Sequence, residues 1–126
     1  MRIVSWNVAR LSERLAEQAA ALAGREPDVV ALQEITRGTL PLWRAALSTI
    51  GLTHIRASLD DADPGRQPIG RRRTGVLLSS RAPLTGASTR LPVPWPETTL
   101  AATTSSVATG ETEVHCVHVP NAANGW

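Results

Sequence analysis

DVVALQEI (28–35) is the stretch on which the reading of this chain turns. It is short and nearly continuous in apolar residues, as expected of a strand covered on both faces, and it finishes on the polar Glu34. Upstream, RIVSWNVA (2–9) is a second β-rich run, apolar on alternate positions around Ile3 and carrying Asn7 near its end. Between them ERLAEQAAALAG (13–24) has helical apolar spacing through Leu15, Ala19 and Leu22. Ser12 is a good N-cap residue with Glu13 in the first turn, Gly24 closes the helix, and Pro27 prevents its continuing.

Downstream the pattern repeats and then changes. A second helix is predicted from about Leu40 to Ile50, closed by Gly51, and THIRASL (53–59) reads as a strand. Residues 60–73, rich in Asp, Pro, Gly and Arg without periodicity, read as a loop or hairpin tip. TGVLLSSR (74–81), PLTGASTRL (83–91), TLAATTSSV (99–107) and TEVHCVHVP (112–120) follow. Their Thr and Val content, short spacing and turn signals at Pro83 and Gly110 predict antiparallel strands. The order β-α-β-α followed by several strands is that of an α/β protein, one mixed sheet with helices on one face. Nothing in the sequence supplies cover for the other face, and NAANGW (121–126) has no closing helix or strand, so the chain reads as part of a larger domain.

Composition narrows the class without choosing a function. The 126 residues suffice for one domain with a core, and 42% apolar with 19% charged residues is ordinary for a soluble globular protein. No apolar run approaches the roughly 20 residues needed to cross a bilayer. The N-terminus lacks a signal-peptide h-region, which points to the cytoplasm. All 13 basic side chains are Arg, but the net charge of +2 is too small to mark a nucleic-acid binder. Lys, Phe and Tyr are all absent, which GC-rich coding explains. The single Cys116 has no disulfide partner within the chain and, inside an apolar run, reads as a buried, inert thiol.

Chemistry gathers at strand ends. If the first two strands are neighbours, Asn7 and Glu34 emerge on one edge of the sheet, the usual position of α/β active sites. A carboxylate beside an amide oxygen suits a hard cation such as magnesium, which keeps waters and leaves room for a phosphate. A lone Glu after a strand is more often a capping or solvent-facing residue, and His118 read by itself is more often a strand histidine satisfied by its neighbours. His115 stands three positions before His118, so alternation puts the two on opposite faces, with His115 structural or solvent-facing. No Cys or carboxylate at a supporting spacing makes a zinc pair of them. GRRRTG (70–75) is compatible with contacts to nucleic-acid phosphates, with an anionic lipid or sugar-phosphate head group, or with a solvated loop. Trp6, Trp43 and Trp95 read as packing residues, Trp126 as packing or stacking, and PVPWPE (92–97) as a rigid connector.

Taken in order, SWNV (5–8), PDVVALQE (27–34), TGVLLSSRAPL (74–84) and HVPNAANGW (118–126) resemble the first four landmarks of the endonuclease/exonuclease/phosphatase superfamily, which includes exonuclease III-type abasic-site endonucleases and DNase I. The resemblance covers essentially the whole chain. It implies the N-terminal half of a four-layer, DNase I-like α/β sandwich, in which this chain supplies one sheet and its two helices. It implies a divalent-metal phosphodiesterase, with Mg2+ or Mn2+ as cofactor and a phosphoester substrate, nucleic acid among the candidates. Glu34 matches the family's metal ligand and Asn7 the first-strand Asn that organises the metal and its hydrogen bonds. His118 matches the position of a Tyr in abasic-site endonucleases and a His in DNase I-like members, near the scissile phosphate. Asn121 matches a phosphate-contacting Asn.

Departures accompany the match. Ala9 stands where abasic-site endonucleases carry a carboxylate, which argues against that branch. The family's Gly-Asp-x-Asn motif, its later Asp and its terminal His have no counterpart in these 126 residues, so the chain alone is expected to be inactive. The missing C-terminal half is expected to pack on the sheet, failing which the chain self-associates. The alternative function is a truncated, non-catalytic binding or structural module on the same half-fold.

Overall fold

The computed structural model describes residues 1–60, 74–86 and 96–119. Its first half is built as the sequence predicts: β1 (Ile3–Asn7), α1 (Leu15–Gly24), β2 (Val29–Thr36), α2 (Leu40–Thr49) and β3 (His54–Ala57), with a 3-10 turn at Ser58–Asp60. β4 (Thr74–Ser80), β5 (Thr85–Gly86), β6 (Thr99–Ser106) and β7 (Gly110–Val117) follow. The first helix begins later than Ser12. Leu15 N–H donates to the Ser12 carbonyl in a tight turn, and Arg14, without a side-chain cap bond, occupies the N-cap position. Pro41 sits in the first turn of α2, where its missing N–H costs nothing.

The α/β class is as expected, but the single mixed sheet is not: the strands divide into two. One sheet has the order β1-β2-β4-β3, with β1 and β2 parallel and β4 antiparallel to both its neighbours. The other is the antiparallel set β5-β6-β7. β4 is interior, between β2 and β3, and the later strands β5–β7 join neither edge of the first sheet, at β1 or β3, but cover a face.

Two cores result. On one side of the first sheet Val30, Leu32, Ile35 and Leu77 pack against Leu22 of α1 and Trp43 and Leu47 of α2. On the other, Val29, Ala31, Val76 and Leu78 pack against Ala102, Val114 and Cys116 of the second sheet. The inner face, left bare in the sequence reading, is therefore largely covered, and the order of layers is helix, sheet, sheet. The cover stops short of β1. Ser5 shares the inner face, because the Gln33 amide reaches both Ser5 and Cys116, and strand alternation places Ile3 and Asn7 beside it. All three are exposed, Ile3 at 47%. Among the described residues β1 and β7 each keep a free edge, both on this flank.

Gly75 is closely packed within the first sheet. A Cβ there would stand 2.6 Å from both Leu59 Cγ and Ser58 Oγ. Both neighbours are buried, and the Ser58 hydroxyl also accepts from Val76 N–H at 3.0 Å, so neither can retreat cheaply. Gly75→Ala is expected to destabilise the fold by about 1–3 kcal/mol, seen as a lowered urea midpoint. Gly24→Ala, where the added carbon meets nothing within 4 Å, should not lower it.

Candidate active site

The parallel register sets Asn7 opposite Gln33, so both strand ends open at one edge of the sheet. Val8 and Arg10 N–H then donate to the carbonyls of Gln33 and Glu34, each at 3.0 Å. The chain leaves β1 through two left-handed residues, Ala9 (φ 53°) and Arg10 (φ 63°). Asn7 holds that turn: its Oδ1 accepts from Ala9 N–H at 2.9 Å, a local bond for which Asn is suited. The carbonyl oxygen keeps a second lone pair.

Glu34 owes its placement to a bulge. Gln33 is opposite Val76 and Ile35 opposite Gly75, so Glu34 is an extra residue in β2, held at φ 60°. Strict alternation from Val30 and Leu32 would aim residue 34 into the helix-side core. The bulge gives that place to Ile35, which is fully buried, and turns the carboxylate out. A left-handed non-glycine backbone costs about 1–2 kcal/mol, here sustained by pairing on both flanks.

His118 arrives from the second sheet. It lies just beyond β7 on the same alternate face as Val114 and Cys116, and its N–H donates to the Thr98 carbonyl at 2.9 Å. Its Nε2 stands 4.0 Å from Glu34 Oε1, with both side chains 25% exposed. That is ion-pair range but too long for a hydrogen bond, so neither group is consumed by the other. His115 takes the opposite face, exposed, with Nε2 2.7 Å from Glu113 Oε1.

Asn7 and Glu34 thus share one edge, and Glu34 and His118 are brought together. Asn121, Arg71–Arg73, Trp95 and Trp126 lie outside the described residues. Trp43 is buried and Trp6 packs against the helix-side core, as packing residues should. Cys116 is buried, and desolvation pushes its thiol above the ordinary range, opposed in part by a hydrogen bond from Gln33. Gln33 itself has a part that sequence reading did not assign. The only signal was its place in LQE, next to the carboxylate.

Among the described residues no third His, Cys, Asp or Glu joins Glu34 and His118. One carboxylate with an amide oxygen nearby fits magnesium or manganese completed by water and substrate oxygens.

A helix-backed pair of sheets with polar groups at one strand edge is the DNase I-like α/β architecture, and the comparisons agree. The sequence profile of the Endonuclease/Exonuclease/phosphatase family matches residues 4–125; this chain belongs to that family. Among solved structures, an endonuclease/exonuclease/phosphatase from Beutenbergia cavernae DSM 12333 is 22% identical with a TM-score of 0.70, over 94% of this chain and 38% of that one. A Neisseria 3' phosphatase, NExo, bound to a product DNA hairpin, is 27% identical with a TM-score of 0.59, over 94% of this chain and 41% of that one. An AP endonuclease from Archaeoglobus fulgidus is 21% identical with a TM-score of 0.58, over 82% and 37%. The chain therefore spans about two fifths of the structures it matches. No curated protein matches it in sequence. Among the described residues no helix is long and apolar enough to cross a membrane.

Proposed function

We propose that these residues carry the cation-binding part of the active site of a phosphoester hydrolase, a nuclease or phosphatase that uses magnesium or manganese. The observation that carries this reading is Glu34, turned out of the core by a left-handed bulge, on the same sheet edge as Asn7 and 4.0 Å from His118. Glu34 would hold the cation through its carboxylate, with the free lone pair of Asn7 Oδ1 as a further donor. The bound cation would supply charge neutralisation at a phosphate oxygen. His118 Nε2 is placed to donate a proton or hydrogen bond to a substrate oxygen beside Glu34, and Asn121 is proposed to donate its amide to the phosphate.

Hydrolysis needs both an activated water and stabilisation of the charged transition state. The family's Gly-Asp-x-Asn motif and its late Asp and His have no counterpart in the 126 residues, which are therefore expected to bind without turnover. The remaining groups would come from further polypeptide packed along the flank where β1 and β7 have free edges and Ile3 is exposed. Without it, a second copy of the chain would pack there. DNA in the NExo structure makes a nucleic-acid phosphoester the first substrate class to try.

Titrating the chain with Mn2+ while recording side-chain and backbone NMR signals tests the reading. Broadening should centre on Asn7, Glu34 and His118 at cation concentrations on the order of a millimolar or below, and Mg2+ should reverse it. Broadening centred on Asp28 or Asp60, or none at all, would leave a non-catalytic module on the same half-fold as the better account.

A further inference from the structure

Three residues stand directly behind the candidate site, one for each of its members. Ser5 precedes Asn7 by two positions on β1, Gln33 precedes Glu34 on β2, and Cys116 precedes His118 by two positions on β7. They are joined. The two N–H groups of the Gln33 side-chain amide are shared among three acceptors, Ser5 Oγ at 3.1 Å, the Ala31 carbonyl at 3.3 Å and Cys116 Sγ at 3.4 Å. The Ala31 carbonyl can only accept, which fixes the NH2 end of the amide towards all three. The Cys116 thiol in turn donates to the Leu32 carbonyl at 3.8 Å, closing the link onto β2.

This strap crosses three strands and both sheets. It is one of several polar ties between the sheets among the described residues. The Ser58 hydroxyl accepts from Val76 N–H of β4 and donates to the Glu97 carbonyl at 2.5 Å, Ser80 Oγ meets Thr104 Oγ1 at 3.2 Å, and Val29, Ala31, Leu78 and their partners supply apolar contact. Apolar contact resists separation but tolerates sliding, because it has no preferred direction. Hydrogen bonds from one amide to two strands set a distance. Since Ser5 and Asn7 share a face of β1, and Cys116 and His118 a face of β7, whatever fixes the first of each pair fixes where the second points.

We propose that Gln33 is a positioning residue, whose amide straps β1 and β7 to β2 and thereby sets the spacing of His118 from Glu34 and of Asn7 from both. The inference rests on Glu34 and His118 acting together as proposed above, but its test needs no cation. At fixed pH, Glu34→Gln should shift the His118 ring signals, because the two groups are neighbours. In a Gln33→Leu background, similar in size but without the amide, the same substitution should shift them by roughly half or less, as expected when a double-mutant cycle removes a shared connection. Signals from α1 and α2 should be unchanged, showing that the fold persists.

A second pair of variants covers the case in which Gln33→Leu perturbs the sheet itself. Cys116→Ser keeps an acceptor for the Gln33 amide and should preserve the His118 response. Cys116→Ala removes the acceptor and should reproduce Gln33→Leu. A full His118 response in Gln33→Leu, or equal responses in Cys116→Ser and Cys116→Ala, would overturn the proposal. Absence of Mn2+ binding with the strap behaviour intact would instead count against the hydrolase reading alone.

Discussion

Glu34→Ala is expected to remove divalent-cation binding, lowering the apparent affinity for Mn2+ by on the order of 100-fold or more. Loss of a residue that merely orients a ligand commonly costs 10- to 100-fold in metal affinity, and Glu34 would be the sole carboxylate ligand from the described residues, so its loss should cost at least as much. Glu34→Gln, which keeps the shape and removes the charge, should behave almost as badly. The backbone supplies an independent control. Glu34 sits at φ 60°, a conformation glycine adopts without penalty. Glu34→Gly should therefore be more stable than Glu34→Ala by about 1 kcal/mol while binding cation no better. Calorimetry with Mn2+ and urea denaturation of the same three variants separate the two effects. Unchanged affinity in Glu34→Ala would sink the assignment.

The largest loss of stability should come from Trp43→Ala. The indole has no exposed surface and fills the space between α2 and the helix-side face of the first sheet. Emptying such a site costs about 3–5 kcal/mol, against a typical domain total of about 5–15 kcal/mol, so much of the chain should be unfolded at modest urea concentrations. Trp43→Phe should behave differently. Among the described residues the buried indole Nε1 has no hydrogen-bond partner, and such a donor costs about 1–3 kcal/mol. Removing it offsets the lost volume, and Trp43→Phe should fall within about 1 kcal/mol of the parent. A Trp43→Ala variant with an unchanged urea midpoint would contradict the packing described.

How much of this was readable beforehand differs from element to element. β2 was legible because both its faces are buried, so its apolar run needs no knowledge of the partners. The helices were legible from spacing, with one end misplaced: Ser12 and Glu13 look like a cap, yet that segment is spent on a tight turn after left-handed Ala9 and Arg10. The division into two sheets was not legible. Val76, Leu77 and Leu78 are buried on alternate faces of β4, and a continuous apolar run does not say whether helix or sheet provides the cover.

The geometry of the candidate site was half legible. Asn7 and Glu34 follow from two parallel strands in register, and the opposed faces of His115 and His118 follow from alternation. The bulge at Glu34 did not, since nothing in VALQEIT announces a left-handed glutamate. Nor did Gln33, whose role depends on Ser5 and Cys116, contacts 28 and 83 positions away.

Those separations also order events in time. The Ser5–Gln33 link closes over 28 positions, within a single β-α-β unit, whereas Cys116 meets Leu32 across 84. Closing a loop three times as long costs about 1 kcal/mol more in chain entropy, and distant pairings generally form late. The Asn7–Glu34 edge can therefore exist while β6 and β7 are still undocked, and His118 completes it only when they settle. The distance between His118 and Glu34 is, in this sense, a clock hand for the last stage of folding.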